Sequence, residues 1–304
     1  MKLYTAAGYY SIPYSRIIYR KRKNGMNGIK IFAFADEASG QIDGQITAMR
    51  RNSLNGLEIR GVDGQNIADI SLEKALEVRR KMDDAGLSVW SIGSPIGKVS
   101  IETPDFPSHL DKLRHVLELA NVLGAKNLRM FSFYVPEGQK KEFRGKVIDW
   151  MGQMLDTAKD SGIDMCHENE KGIYGDMADS CCDLLTTFPD LKGIFDPANF
   201  VQCGQDTREA WDMLRHRIKY LHIKDALADG RVVPSGFGIG NVKEILSDFC
   251  LMGGEAVTVE PHLSVFDGLK DLEKADQKTL IDAYNYPSSD AAFDVACVAL
   301  KALL

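Results

Sequence analysis

From residue 29 onward, the hydrophobic positions follow two alternating patterns. Short runs rich in β-branched and other apolar residues predict strands, and longer segments with apolar residues every three or four positions predict helices. The predicted strands occupy 29–35, 56–60, 87–93, 126–132, 163–168, 191–196, 218–223 and 255–260. The predicted helices occupy about 42–52, 72–86, 107–124, 138–161, 176–187, 206–216, 242–252 and 277–303. Short strands that alternate with longer helices are typical of a parallel sheet.

Eight strand–helix units favour closure of that sheet into a barrel. Gly86 and Gly124 agree with the predicted helix ends, because glycine ends a helix in the left-handed conformation at little cost. A doubly wound open sheet is the alternative, but the G-x-G-x-x-G motif that often follows its first strand is absent here. No linker-like composition interrupts residues 29–304. The sequence therefore predicts a single-domain (β/α)8 TIM barrel over 29–304.

The first 28 residues differ from the rest of the chain. They contain six basic side chains and no acidic one, and they show neither helical nor strand periodicity. A secretory signal would place its charges before an apolar core, whereas most of the charges here come at the end. We interpret 1–28 as a basic N-terminal extension, disordered or not part of the domain. An alternative interpretation is that translation begins at Met26.

The charge of the remaining chain limits the partners to expect. The formal net charge is −6, so the residues after the basic extension carry −12. An acidic surface disfavours nucleic acid and anionic membranes, and no window approaches the roughly 18 apolar residues of a membrane span. Six cysteines without a C-x-x-C pair favour free thiols in a reducing compartment. We expect a cytoplasmic protein with a small-molecule partner, and a homo-oligomer is compatible with the sequence.

Four consecutive predicted strands end in side chains that can bind a metal. These residues are Glu168, Asp196, His222 and Glu260. The separation in sequence between each residue and the next is about one strand–helix unit. The separation between His222 and Glu260 is longer because a glycine-rich segment at about 225–241 lies between them. In a barrel the carboxyl ends of the strands meet at one mouth, so the four side chains can surround one ion. Three carboxylates and one imidazole suit Mn²⁺, Mg²⁺ or Co²⁺ and also admit Zn²⁺.

A structural explanation competes with this interpretation. A single acid at a strand end is usually the N-cap of the next helix or a solvated loop residue. Recurrence at the same phase of four successive units favours the metal site over that explanation. Spacing alone leaves the two interpretations about equally supported.

Several sequence motifs resemble the sugar phosphate isomerase/epimerase family, within the xylose-isomerase-like TIM-barrel superfamily. The resemblance covers most of 29–304 in the right order. Its motifs are FADEAS (34–39), LEIRG (57–61), HENEKGIYGD (167–176), FDPANF (195–200), YLHIKDA (220–226) and VEPHL (259–263). The resemblance implies one divalent ion held by Glu168, Asp196, His222 and Glu260. It also implies that Glu168 and Glu260 are the catalytic acid/base pair.

The same resemblance implies a set of residues near the substrate. They are Glu37, Arg60, Asn199, Lys224 and His262. Two departures put the substrate in doubt: family epimerases often have histidine where this chain has Asn199, and Gly-Glu-Gly where it has Gly236-Phe237-Gly238. These departures leave the predicted ligands intact.

The predicted activity is a metal-dependent sugar isomerase or epimerase of carbohydrate metabolism. One glutamate would remove a proton next to the carbonyl of a ketose or keto-polyol, and the other would return one. Aldose–ketose isomerisation differs only in the carbon that receives the proton. Three alternatives are an inosose-dehydratase-like lyase, an endonuclease IV-like DNA-repair enzyme and a non-catalytic sugar-binding barrel. The endonuclease would need more metal ligands and a less acidic surface, and retention of all four ligands argues against a non-catalytic barrel.

Two further residues remain open on sequence grounds. His167 precedes Glu168 on a predicted strand, so alternation directs it towards the helices, where we expect a packed, hydrogen-bonded role. Arg129 either binds a substrate anion or pairs with a neighbouring acid.

Overall fold

A computed structural model describes residues 28–265 and 286–304, together with a short antiparallel ladder between residues 2–3 and 12–13. Its centre is a closed barrel of eight parallel strands. The strands are β1 (Lys30–Ala33), β2 (Gly56–Ile59), β3 (Ser88–Ile92), β4 (Asn127–Met130), β5 (Asp164–Glu168), β6 (Lys192–Phe195), β7 (Ile218–Ile223) and β8 (Ala256–Val259). Each strand pairs with the next, and β8 pairs with β1. The predicted single-domain TIM barrel is confirmed.

Helices connect the successive strands on the outside of the barrel. They are α1 (Ile42–Arg51), α2 (Leu72–Ala85), α3 (Phe106–Leu123), α4 (Lys140–Ala158), α5 (Ala178–Thr187), α6 (Pro197–Gln202), α7 (Thr207–Leu214), α8 (Val242–Leu251) and α9 (Ser289–Leu303). The first seven predicted helices correspond to α1–α5, α7 and α8. Of the eighth, 277–303, the part up to 285 lies outside the described residues. The proposed extension 1–28 also lies almost entirely outside them.

Local sequence signals fix the ends of several helices. The side chain of Ser71 accepts a hydrogen bond from the backbone of Lys74 and begins α2, and Gly86 ends it at φ +69°. Gly124 ends α3 in the same way at φ +74°. These stops set where β3 and β4 begin, and therefore which of their residues face the interior of the barrel.

Alternation along the strands separates two buried regions. Leu57 and Ile59 of β2 face outward and join the large apolar layer between barrel and helices. Inside the barrel, Phe32, Cys166 and Ile194 form a smaller apolar cluster with Tyr220 and Trp90. Charged side chains lie between this cluster and the mouth. In the described part of the chain, no helix combines the length and apolar character needed to cross a bilayer.

Candidate metal centre and active site

The four predicted ligands meet at the carboxyl ends of neighbouring strands. Glu168 ends β5, Asp196 follows β6, His222 lies near the end of β7 and Glu260 follows β8. One ligand atom from each lies within 4.8 Å of the others, and all four side chains are buried. Barrel closure thus brings together residues that are far apart in the sequence. Their role as ligands remains a prediction.

The detailed geometry of this four-residue cluster suits a divalent cation. Nδ1 of His222 lies 2.7 Å from Oε1 of Glu168 and 3.3 Å from Oε2 of Glu260. Oδ1 of Asp196 caps α6 by accepting from the backbone of Asn199 at 2.9 Å, while Oδ2 lies 2.9 Å from Nζ of Lys224. Three carboxylates and an imidazole nitrogen therefore converge in a buried space. This donor set fits one ion of the Mn²⁺, Mg²⁺, Co²⁺ or Zn²⁺ type.

Burial and neighbouring charges shift the pKa values in this cluster. Burial raises the pKa of Asp196 to about 7, although Lys224 opposes the rise. Burial also opposes ionisation of Glu260, but Lys224 and the two neighbouring histidines hold its pKa well below the usual range. For His222, burial favours the neutral ring, yet the carboxylates around it raise the pKa well above its ordinary value. Positive charge at this place is therefore strongly favoured.

A second group of residues lies beside Glu260 at the mouth. The guanidinium of Arg60 donates from Nη2 to Oε1 of Glu37 at 3.0 Å, and its Nη1 lies 3.5 Å from Oε1 of Glu260. The backbone N–H of His262 donates to Oε2 of Glu37 at 2.6 Å, and Nδ1 of His262 lies 3.4 Å from Oε1 of Glu260. Burial raises the pKa of Glu37 to about 8. Three of the predicted substrate-binding residues thus adjoin one presumed ligand.

The other two predicted substrate-binding residues differ in their surroundings. Lys224 contacts the four-residue cluster directly. Its Nζ lies 2.9 Å from Oδ2 of Asp196 and 3.2 Å from Oε2 of Glu260. Asn199 is buried on α6, and its amide donates to the backbone carbonyl of Asn169 at 2.9 Å. That hydrogen bond gives Asn199 a structural contact, and its predicted contact with substrate remains untested.

Asn169 is a supporting residue that the sequence analysis missed. Its side chain donates to the backbone carbonyl of Asp196 at 3.0 Å and accepts from the backbone N–H of Asp196 at 2.9 Å. This pair of hydrogen bonds fixes Asp196 relative to β5. The only signal in the sequence is that Asn169 directly follows Glu168.

Glu58 is the second residue that was missed. It lies on β2, wholly buried, and Oε2 is 3.0 Å from Nε2 of His222. Burial opposes its ionisation, but His222 and Arg129 outweigh that effect and lower the pKa of Glu58. A signal was present in LEIRG, since strand alternation gives Glu58 the same inward phase as Arg60.

The structure answers both questions left open by the sequence. Arg129 pairs with an acid, because Nη1 donates to Oε2 of Glu168 at 3.1 Å and Nη2 donates to the carbonyl of Gly93 at 3.2 Å. His167 lies on the helix side, where Nε2 is 2.9 Å from Oγ of Ser132. Burial lowers the pKa of His167 to about 3. His167 therefore packs as a neutral ring.

The glycine-rich segment at 225–241 is organised around one carboxylate. Asp225 accepts hydrogen bonds of 2.9–3.0 Å from four backbone N–H groups, those of Ala226, Gly236, Gly238 and Gly240. A Cβ at Gly238 would lie 2.2 Å from Oδ1 of Asp225, so the close approach requires glycine. Phe237, between two of these glycines, is 49% exposed. The loop thus holds an aromatic side chain on the surface.

Comparison with known proteins agrees with this architecture. The family model described as the xylose isomerase-like TIM barrel matches residues 46–275. No curated protein sequence matches the chain. The family match covers most of the chain, so the superfamily predicted from the motifs is confirmed.

Solved structures share the fold at low sequence identity. The IolI protein with a bound zinc atom aligns with a TM-score of 0.68 at 15% identity, over 90% of this chain and 98% of that one. D-psicose 3-epimerase in the presence of D-fructose aligns with a TM-score of 0.68 at 15% identity, over 90% and 97%. The probable 3-DHS dehydratase AsbF from Bacillus anthracis gives 0.67 at 18%, over 90% and 98%. This chain belongs to the xylose isomerase-like TIM-barrel family.

Proposed function

We propose that this protein is a metal-dependent isomerase that moves a proton next to the carbonyl of a ketose or keto-polyol. The observation that carries the proposal is the convergence of two buried glutamates, Glu168 and Glu260, on Nδ1 of His222. One carboxylate oxygen of each glutamate is directed at His222. The other oxygen lies near an arginine, Arg129 for Glu168 and Arg60 for Glu260. Similarity to D-psicose 3-epimerase supports a sugar as substrate.

The four-residue cluster would hold the ion. Glu168, Asp196, His222 and Glu260 fit it because their ligand atoms converge in a buried space. When bound, a divalent ion supplies the Lewis acidity that makes a carbon-bound proton next to a carbonyl easier to remove. The metal identity is left to experiment, although similarity to the zinc-containing IolI protein keeps Zn²⁺ beside Mn²⁺, Mg²⁺ and Co²⁺.

The protein's own groups would divide the remaining work. One glutamate takes the proton from carbon, and the electron pair of that C–H bond moves towards the carbonyl oxygen. The ammonium of Lys224, 3.2 Å from Glu260, offsets the negative charge that develops. The second glutamate then returns a proton from the opposite face, which inverts the carbon. Return to the neighbouring carbon instead gives aldose–ketose isomerisation.

Arg129 and Arg60 would keep the two glutamates in position. Arg129 donates to Oε2 of Glu168, and Arg60 lies 3.5 Å from Oε1 of Glu260. The glutamate pair is therefore held by Arg60, which follows β2, and by Arg129 of β4, the strand next to β5. Such positioning is what general acid/base catalysis requires of two groups acting on opposite faces.

A lyase is the second candidate, supported by similarity to the dehydratase AsbF. The first step would be the same removal of a proton next to a carbonyl. The electron pair would then expel a hydroxyl from the adjacent carbon, with a proton to form water. The product would weigh one water less than the substrate, whereas an isomerised product keeps the mass.

An isotope-exchange experiment tests the proposal. We would incubate the protein with Mn²⁺ and a panel of ketoses and keto-polyols in D₂O, then follow deuterium incorporation by NMR and product mass by mass spectrometry. We expect deuterium at one carbon without loss of water. Glu168→Gln and Glu260→Gln should each slow incorporation by at least about 100-fold, the usual contribution of one acid/base group.

Glu255→Gln is the matched control. Glu255 immediately precedes β8 and is exposed, whereas Glu260 immediately follows β8 at the mouth of the barrel. It should exchange at the wild-type rate. Wild-type exchange by both active-site variants would contradict the acid/base assignment. Loss of water would favour the lyase instead.

A further inference from the structure

Glu58 is a buried carboxylate that the proposed reaction does not use. It is 0% exposed, and it lies on β2 one layer deeper in the barrel than Arg60. Its Oε2 is 3.0 Å from Nε2 of His222, and its Oε1 accepts from the hydroxyl of Tyr220 at 2.8 Å. The hydroxyl of Tyr220 lies 3.0 Å from Oγ of Ser91. Both oxygens of Glu58 are therefore occupied by hydrogen-bond partners inside the barrel.

A charged group at this position is costly and needs an explanation. Burying a carboxylate costs several kcal/mol unless it is paired and hydrogen-bonded. Phe32, Trp90 and Tyr220 surround the adjacent layer, with ring centroids 5.2 Å apart for the first pair and 5.9 Å for the second. An apolar side chain would fit that layer at lower cost. The feature that distinguishes Glu58 from an apolar residue is its contact with His222.

The contact determines which nitrogen of His222 faces the metal centre. An ionised carboxylate accepts hydrogen bonds and does not donate them, so Nε2 of His222 carries the hydrogen. Nδ1 faces the carboxylates of Glu168 and Glu260 and is the nitrogen whose lone pair a bound metal would use. The hydrogen on Nδ1 would leave when a metal binds, whereas Nε2 keeps its hydrogen at Glu58. The edge of the ring also packs on Phe34, with centroids 5.2 Å apart. Ring position and tautomer are thus set from below.

We propose that Glu58 is the positioning residue of His222. It accepts the hydrogen bond from Nε2 and so presents Nδ1 to the metal, while Tyr220, itself hydrogen-bonded to Ser91, holds the Glu58 carboxylate in place. Glu58 lies outside the four-residue cluster. A hydrogen-bonded partner of this kind raises the basicity of a histidine ligand and restricts its ring. The inference rests on the proposed metal site.

The same strand supports a second presumed ligand. Arg60, two residues after Glu58, reaches Glu260, and β2 lies across the barrel from β7. In β4, Arg129 supports Glu168 in a comparable way. Strands without a ligand therefore orient ligands that other strands carry. Glu58 is the member of this set that acts on the histidine.

Metal affinity tests the role of Glu58 directly. We would remove metal from the wild-type protein and from Glu58→Gln with a chelator and titrate each with Mn²⁺ by isothermal calorimetry. Glu58→Gln keeps the shape and removes the charge, so we expect binding to weaken roughly 10- to 100-fold with one site per chain retained. Tyr220→Phe keeps the carboxylate and loses one hydrogen bond, so we expect weakening of roughly threefold to tenfold. Glu255→Gln should bind as wild type.

A spectroscopic measurement separates positioning from a general structural role. With ¹⁵N-labelled histidine and Mg²⁺ or Zn²⁺, the wild-type protein should show a hydrogen on Nε2 of His222 shifted by its carboxylate acceptor, and Glu58→Gln should lose that shift. Wild-type affinity in Glu58→Gln would overturn the inference. If that variant does not fold, wild-type affinity in Tyr220→Phe would overturn it. Absence of binding by the wild-type protein would instead reject the metal site itself and the inference with it.

Discussion

Two buried histidines show how the barrel interior differs from the layer under the helices. Inside the barrel, His222 lies between the carboxylates of Glu58 and Glu168, and its pKa is raised well above the ordinary value despite burial. On α3, Nε2 of His109 accepts a hydrogen bond from the backbone of Gly97 at 2.8 Å, and burial lowers the pKa of His109 to about 4. The same side chain is stabilised as a cation in one place and as a neutral ring in the other.

The difference separates function from stability in this fold. The mouth of the barrel buries several charges together, and each is tolerable because an opposite charge faces it. A divalent ion at the four-residue cluster would add to that positive charge. The layer between barrel and helices is built mainly from apolar side chains. A substitution in this layer should therefore change the free energy of unfolding by the same amount with and without metal.

The largest effect should come from unpairing a charge at the mouth. Arg129→Met leaves Glu168 buried without its guanidinium partner, so the free energy of unfolding of the metal-free protein should fall by about 3–5 kcal/mol. Mn²⁺ should recover part of the loss, because it supplies positive charge beside Glu168. Urea unfolding with and without Mn²⁺ measures both values. An equal loss of unfolding free energy with and without Mn²⁺ would contradict a stabilising effect of the ion on the charge of Glu168.

A core substitution in the helix layer should behave differently. Leu119 is wholly buried on α3, and Leu119→Ala should lower the free energy of unfolding by about 3 kcal/mol through lost apolar contact and a residual cavity. The loss should be the same with and without Mn²⁺. A metal-dependent loss at this position would remove the distinction between the two regions.

The smallest effect concerns pH and His109. Its folded pKa of about 4 lies below the ordinary value of 6.5, so the unfolded chain binds the proton first. This contribution to stability is complete above pH 6.5 and is lost as the pH falls towards 4. At pH 5 the loss should be about 1–2 kcal/mol. Urea unfolding at pH 7 and pH 5 should show a smaller pH-dependent loss in His109→Gln than in wild type; identical losses would show that His109 does not titrate in this way.

The sequence predicted the fold and the principal site residues because both depend on periodic signals. The strands follow from runs of apolar residues, and the presumed ligands follow from polar residues at the same phase of β5 to β8. The short helix α6 was missed, because its six residues are too few to show a helical period. The Asp196-Pro197 pair was nevertheless a start signal, since aspartate caps helices and proline favours their first turn.

The supporting residues were harder to predict because their partners are remote in the sequence. Glu58 contacts His222 across a separation of 164 residues, and only barrel closure brings them together. For Arg129, the sequence allowed either a substrate anion or an acid, and the acid lies on the adjacent strand. Asn199 was expected near substrate, but the turn into α6 aligns its amide with the backbone of Asn169. The position of a residue in the alternation along a strand specifies the direction of its side chain, but it does not specify which residue that side chain contacts.

The most direct test of the metal centre is a Mn²⁺ titration of metal-free wild-type protein and Asp196→Asn. Asparagine is also a good helix cap, so this variant should preserve α6 while removing one charged ligand. We expect wild type to bind one ion per chain and the variant to bind at least about 100-fold more weakly, since loss of a supporting residue alone costs 10- to 100-fold. Equal affinity in the two proteins, or no binding by wild type, would contradict a metal site at Glu168, Asp196, His222 and Glu260.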